Sequence, residues 1–208
     1  DNIHYYHLGQ NIKKGEGYTS TWEPESPPHK HFPPGYPLII AFFSFISSSV
    51  VFIKLLNGFF LIITALILYK ILRRNQLPVI LALIISVFFV NNPFLLRHAT
   101  IMMSEVPFVL TILLTILFYQ SADRDKKMNM YFIFMILVIA YGFYIKTIGI
   151  SIFFGVCTLF LVKKEYKHLI STIILFILLT VPWIIRNQNI KSLTETSYIQ
   201  EFLMKNPY

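Results

Sequence analysis

A succession of five or six apolar runs, each approaching the length of a membrane crossing, constrains this 208-residue chain more than any other feature. The runs cover residues 50–72, 77–96, 101–119, 130–145, 147–162 and 169–185. A helix needs ~20 mainly apolar residues to cross the hydrocarbon core. In hydrocarbon every backbone N–H and C=O must be satisfied within the protein, which leaves helices and closed barrels. Runs of this length therefore predict an all-α, polytopic transmembrane helical bundle. Residues 37–49 are also apolar but too short to cross, which suits a re-entrant or interfacial helix. Only 13% of residues are charged, against about 25% in an ordinary globular domain, so a soluble domain with a large core is excluded. Small residues let helices approach closely in lipid, and Gly142, Gly149 and Gly155 are expected at such approaches.

Charge then orients the bundle. Lys70, Arg73 and Arg74 lie in one short connector, Arg124, Lys126 and Lys127 in a second, and Lys163, Lys164 and Lys167 in a third. These nine are half of the eighteen Lys and Arg residues. Short loops rich in Lys and Arg stay cytoplasmic. The net charge of +8 is thus used for orientation, and a nucleic-acid partner is excluded. The expected organisation is an extracytoplasmic loop with an interfacial helix over 1–36, a transmembrane bundle over 37–185, and the start of a further extracytoplasmic segment over 186–208. Seven of the ten acidic residues and every histidine except His168 fall on the outer side or at its boundary. Titratable groups gathered on one side place any chemistry there. Cys157 is the sole cysteine, so no internal disulfide forms. The chain opens on Asp1 with no signal-peptide pattern, and upstream sequence ending in a first membrane helix is expected.

Four stretches on the outer side combine polar groups with a constrained backbone. In the first, Asp1, Tyr5, Leu8 and Ile12 recur at helical spacing, and Lys13 and Lys14 precede Gly15, a favoured helix stop. This predicts a short amphipathic helix with Tyr5 and Tyr6 at headgroup depth. Asp1 at its start either complements the helix dipole or presents a carboxylate. The second is the run Pro33-Pro34-Gly35-Tyr36-Pro37, which fixes several φ angles and removes three backbone donors. It serves either as a rigid turn leading into the following helix or as the lip of an active site. The third contains Ser104, Glu105 and Pro107, residue types that suit a helix start. Glu105 is also an ionisable group at a membrane boundary, a functional candidate in its own right, and Arg97 and His98 lie just upstream. Fourth, Lys146 at the outer end of its run either snorkels to the headgroups or binds a phosphate. His29 and His31, with Glu23 and Glu25 nearby, offer donors for a divalent metal but no defined third ligand, so no metal site is assigned.

In order, these stretches resemble the polyprenyl-phosphate-sugar-dependent glycosyltransferases of the GT-C fold. The resemblance is greatest to family 39, with its protein O-mannosyltransferases and lipid A aminoarabinose transferases. The residues that carry it are Asp1 and Tyr5, Gly15-Glu16-Gly17-Tyr18, the turn at 33–37, the stretch 104–108, Lys146-Thr147 and the PWIIRN of 182–187. Two departures stand out. Relatives often carry two adjacent acids where this chain has Asp1-Asn2, and some have lysine directly before the double proline, where Phe32 stands. Members are some hundreds of residues longer, which implies that this sequence is a fragment, inactive alone if the missing parts are required.

What the resemblance implies is transfer of a hexosyl or pentosyl sugar from a polyprenyl-phosphate donor to an acceptor hydroxyl on a protein, lipid or glycan. Transfer would take place at the extracytoplasmic face of the cell membrane. Family members invert the anomeric centre, so one carboxylate suffices as base: Asp1, with Glu105 as the second catalytic candidate. Lys30, His31, Arg97 and Lys146 are the candidates for binding the donor phosphate. The resemblance fixes no cofactor and leaves a divalent metal as an open option. The rival reading is a polytopic transporter or lipid flippase subunit, and behind it a membrane scaffold. Transporters place ionisable groups near the bilayer midplane, whereas here they cluster at one boundary.

Overall fold

The computed structural model describes residues 2–122 and 129–190. Asp1, the connector holding Arg124, Lys126 and Lys127, and residues 191–208 lie outside the described residues. The chain is all-α, with helices α1 (Asn2–Lys14), α2 (Gly35–Ser44), α3 (Val50–Arg74), α4 (Val79–Val90), α5 (Pro93–Thr100), α6 (Glu105–Ala122), α7 (Met130–Ile145), α8 (Ile150–Val162) and α9 (Tyr166–Asn189). A single 3₁₀ turn, Thr147–Gly149, joins α7 to α8. Among the described residues there is no β-strand, only one isolated bridge between Thr19 and Pro28.

Among the described residues three helices, α3, α6 and α9, are long and apolar enough to cross a membrane. The run expected to form one helix over 77–96 instead divides into α4 and α5, which meet at a 55° bend. The cause is local. Asn92 accepts a hydrogen bond from the Phe94 backbone N–H at 2.9 Å, and Pro93 occupies the first turn of α5. An N-cap followed by proline starts a new helix instead of continuing the old one. Helices α7 (16 residues) and α8 (13 residues) are shorter apolar helices.

Packing orders these pieces. α6 lies between α3 and α7, α4 and α5 flank α3, and α8 and α9 pack against each other and against α7. The largest buried cluster joins Phe132, Met135, Ile136 and Ile139 of α7 to Phe153, Val156 and Phe160 of α8 and Phe176 of α9. Close approach of α7 and the turn into α8 depends on glycine: a Cβ on Gly149 would lie 2.5 Å from the Gly142 backbone. Gly155 does not share this role, since a Cβ there would meet nothing within 4 Å.

The bundle has two unlike ends. At one, Arg74 donates to Leu117 O (3.2 Å) and Ser121 Oγ (2.6 Å), and Lys163 lies over the Tyr119 ring at 5.1 Å. At the other, α1, the loop after it and the start of α2 rest on the first turn of α6 and the last turns of α7 and α9. Helix α1 is built as its spacing predicts, and Gly15 ends it with φ +79°. Tyr5 and Tyr6 differ from expectation. Tyr5 is buried among Phe32 and Tyr36, and the Tyr6 hydroxyl donates to Ser48 O at 2.7 Å. Both rings pack against the core formed with α2 and the turn after it. Lys13 likewise donates to Ser44 O and Ser48 Oγ, both at 2.7 Å. A cation there satisfies carbonyls left unpaired where α2 ends.

Candidate active site

The polar end centres on an ion pair between neighbouring antiparallel helices. Glu105 opens α6 and Lys146 follows the last residue of α7. An acid at a helix N-terminus and a base at a C-terminus each complement the local dipole, by about 0.3–1 kcal/mol. The Lys146 backbone is extended, at φ −145° and ψ 134°, as the chain turns from α7 toward α8. Its Nζ lies 2.7 Å from Glu105 Oε1, with the lysine side chain 30% and the glutamate 16% exposed. The second carboxylate oxygen, Glu105 Oε2, is buried and has no hydrogen-bond partner among the described residues. An unmatched buried acceptor costs about 1–3 kcal/mol, more when it carries charge.

A second layer supports this pair from α1, α2 and α3. Ser104, fully buried just before α6, places its Oγ 3.5 Å from the Tyr5 hydroxyl. Tyr5 meets Tyr36 edge-on at 5.2 Å. The Tyr36 hydroxyl donates to Asn57 Oδ1 (3.1 Å), and Asn57 Nδ2 donates to Ile101 O (3.0 Å) and Met103 O (3.1 Å). Burial raises the Tyr36 phenol far above its usual range, and the nearby charge of Glu105 adds to the shift, so this group stays a neutral donor. Asn57 thus fixes the segment leading into Glu105. Sequence reasoning passed over it, although a lone amide inside an apolar run was a signal: such a group is costly in hydrocarbon unless partnered.

The proline-rich turn is a packing element. Gly35 lies against the end of α7, where a Cβ would fall 2.5 Å from the Tyr144 backbone carbon, and the Tyr141 hydroxyl donates to Gly35 O at 2.9 Å. Upstream, Tyr18 and His29 pair their backbones (His29 N to Tyr18 O, 2.8 Å), and Arg186 of α9 donates to His29 O at 2.9 Å. Pro182 interrupts the carbonyl ladder of α9 just before this contact. In the preceding turn the Tyr144 hydroxyl donates to Leu179 O at 2.7 Å, beside the Leu178 carbonyl that the proline leaves without its helical donor.

Among the expected site residues, Glu105 and Lys146 come together. Lys30 is buried and His31 half-buried in the loop that leads to the proline turn. Arg97 is exposed on α5, on the side away from buried Leu95 and Ala99. Asp1 lies outside the described residues. The donors considered for a metal do not assemble. His29 Nε2 accepts the Phe32 backbone N–H at 2.9 Å, and its Nδ1 lies 2.8 Å from Ser20 Oγ. Among the described residues no group of three or more metal-ligating side chains converges.

Comparison with curated proteins and with solved structures returns no match. The family model described as dolichyl-phosphate-mannose-protein mannosyltransferase matches residues 31–185, from the loop before the proline turn through most of α9. Its match includes Glu105, Lys146 and the turn that packs against them, and the chain belongs to this family.

Proposed function

We propose that this protein is a membrane glycosyltransferase that moves a sugar from a polyprenyl-phosphate donor to an acceptor hydroxyl at the end of the bundle where α1, α2, α6 and α7 meet. The observation that carries this reading is the 2.7 Å pair of Lys146 and Glu105, with the second glutamate oxygen buried and unmatched among the described residues. The ammonium has three donors and is partly exposed, so it can bind a phosphate oxygen while Glu105 holds it in place. Glu105 Oε2 is then placed to orient the acceptor through a group other than the hydroxyl that reacts. The ionisable groups stand at a bundle end, where a carrier lipid presents its phosphate while its tail stays in hydrocarbon.

The reaction follows from these roles. Asp1 is assigned as base and takes the proton of the acceptor hydroxyl as that oxygen attacks the anomeric carbon from the face opposite the phosphate. The bond between that carbon and the phosphate oxygen breaks, and its electron pair leaves with polyprenyl phosphate. The configuration inverts. Lys146, Lys30, His31 and Arg97 supply positive charge for the leaving phosphate, and preorganised charge of this kind is usually the largest catalytic contribution. The positive connectors orient this end extracytoplasmically, with 1–36 as an outer loop, 37–185 as the bundle and 186–208 opening a second outer segment.

The test is consumption of lipid-linked sugar by the full-length protein in membranes. Asp1→Asn should lower turnover by about 10²–10⁴-fold, the usual range for a general base. Lys146→Gln should raise the donor KM by roughly 10- to 100-fold, as expected for loss of one charge-assisted contact of about 1.5–3 kcal/mol. Full turnover by both Asp1→Asn and Glu105→Gln would defeat the assignment. Transport activity that persists when sugar-linked lipids are depleted would favour a carrier instead.

A further inference from the structure

Lys30 and His31 occupy the middle of a turn whose two flanking residues are held at every backbone polar group. His29 N donates to Tyr18 O (2.8 Å), and His29 O accepts from Arg186 Nη1 (2.9 Å). Phe32 N donates to His29 Nε2 (2.9 Å), and Phe32 O accepts from the Tyr18 hydroxyl (2.9 Å). Because Nε2 accepts a backbone N–H, the proton of the neutral ring sits on Nδ1, which donates to Ser20 Oγ at 2.8 Å. His29 itself is 1% exposed. The backbone that carries Lys30, itself buried, and His31, half-buried, therefore has very little freedom.

The tie between this turn and the bundle is Arg186, 157 residues further along. Its guanidinium lies over the rings of Trp183 (4.8 Å) and Tyr18 (5.5 Å). Nη2 reaches Tyr18 O at 3.4 Å, and Nη1 also donates to Asn187 Oδ1 at 3.0 Å. A planar fork can lie flat on aromatic rings and bridge two carbonyls at once, a geometry that a lysine ammonium reproduces less well. No substrate group is needed to explain Arg186, and nothing about it suggests direct chemistry. Its contacts instead set where residues 30 and 31 stand relative to α7 and α9.

We propose that Arg186 is a positioning residue for donor binding: by gripping the carbonyls of His29 and Tyr18 it holds Lys30 and His31 where the donor phosphate arrives. This rests on the reading of Lys30 and His31 as phosphate-binding groups. Misplacement of a binding group by ~1 Å can cost as much as 100-fold, so the effect belongs in donor affinity.

The experiment uses the full-length protein in membranes, with lipid-linked sugar as donor and sugar-free polyprenyl phosphate as competing probe. Four forms are compared: Arg186→Gln, Arg186→Lys, the Lys30→Gln/His31→Gln pair, and that pair combined with Arg186→Gln. Arg186→Gln should raise the donor KM and the inhibition constant of polyprenyl phosphate by roughly 10- to 100-fold, with kcat changed by no more than about threefold. Arg186→Lys should fall between it and the unmodified protein. In the Lys30→Gln/His31→Gln background the arginine substitution should add almost nothing, because it acts through those side chains. A purely structural arginine would instead lower kcat or protein level equally in both backgrounds, and that result overturns the proposal. If the Lys30→Gln/His31→Gln pair leaves donor KM unchanged, the phosphate reading falls and this inference with it. If the pair raises KM and the arginine variants do not, only this inference falls. Should Arg186→Gln fail to accumulate, Arg186→Lys carries the same comparison with the same two outcomes.

Discussion

Tyr36 shows how much one side chain in the proline-rich turn holds in place. Its ring is 1% exposed, and its hydroxyl reaches Asn57 in the largely apolar first half of α3. Asn57 passes the constraint to the carbonyls of Ile101 and Met103, immediately before Glu105. Tyr36→Phe keeps the ring but leaves Asn57 Oδ1 without that donor, a loss of about 1–3 kcal/mol for a buried group. Asn57→Leu strands the tyrosine hydroxyl and both carbonyls, and should cost more. Thermal unfolding in detergent, followed by intrinsic fluorescence, checks both. The expected order of midpoints is unmodified, then Tyr36→Phe, then Asn57→Leu, and a Tyr36→Phe protein as stable as the original would refute the network's contribution. The turn's composition was legible in sequence as a stiff bend ahead of an apolar helix. That it would anchor the approach to a carboxylate some seventy positions away was not, because nothing local to residues 33–37 specifies Asn57 as the partner.

Among the elements, the reversal from α7 to α8 is the most tightly made. Lys146 stands in extended conformation between α7 and the 3₁₀ turn, and Gly149 N donates back to Lys146 O at 2.8 Å. The reversal closes because Gly149 lies on the backbone of Gly142. Gly149→Ala forces a carbon into a 2.5 Å contact with main-chain atoms that cannot rotate away. Overpacking of this kind costs about 1–3 kcal/mol, and here it also shifts Lys146 relative to Glu105. Gly155→Ala, two turns along α8 in open space, should be neutral or slightly stabilising, since alanine favours a helix by about 1 kcal/mol over glycine. Measuring unfolding midpoints and donor KM for both variants separates them: Gly149→Ala should worsen both, Gly155→Ala neither. All three glycines look alike in sequence. Only the path of the chain tells a contact glycine from an idle one. The bend between α4 and α5 differs in kind, since Asn92-Pro93 is a written stop-and-start signal that the apolar run around it conceals.

For the whole molecule, the two ends of the bundle carry different chemistry. Arg74 and Lys163 tie α3, α6 and α8 together at one end. Glu105, Lys146, Arg186 and the loop from α1 to α2 gather at the other. Lys- and Arg-rich short loops stay on the cytoplasmic side, so the site should open outward. Single-cysteine proteins in a Cys157→Ser background test this. Glu16→Cys, exposed in the loop after α1, should react with a membrane-impermeant maleimide in intact cells. Asn75→Cys, exposed just beyond α3, should react only after permeabilisation. The opposite pattern would reverse the topology and remove the outward-facing site.

Apolar run length, helix-stop residues and charge in short loops are properties of neighbours along the chain. They respond to how water and hydrocarbon partition each segment, so the sequence by itself determined an all-helical membrane bundle, its polar end and the stiff turn at 33–37. Pairings between distant segments answer to a different physics: which backbones can approach, and which buried polar groups must find partners once they do. Tertiary structure therefore decided that Lys146 would meet Glu105, that Asn57 would hold the approach to α6, and that Arg186 would clasp the turn carrying Lys30 and His31. Each of these contacts becomes favourable only after the helices have packed.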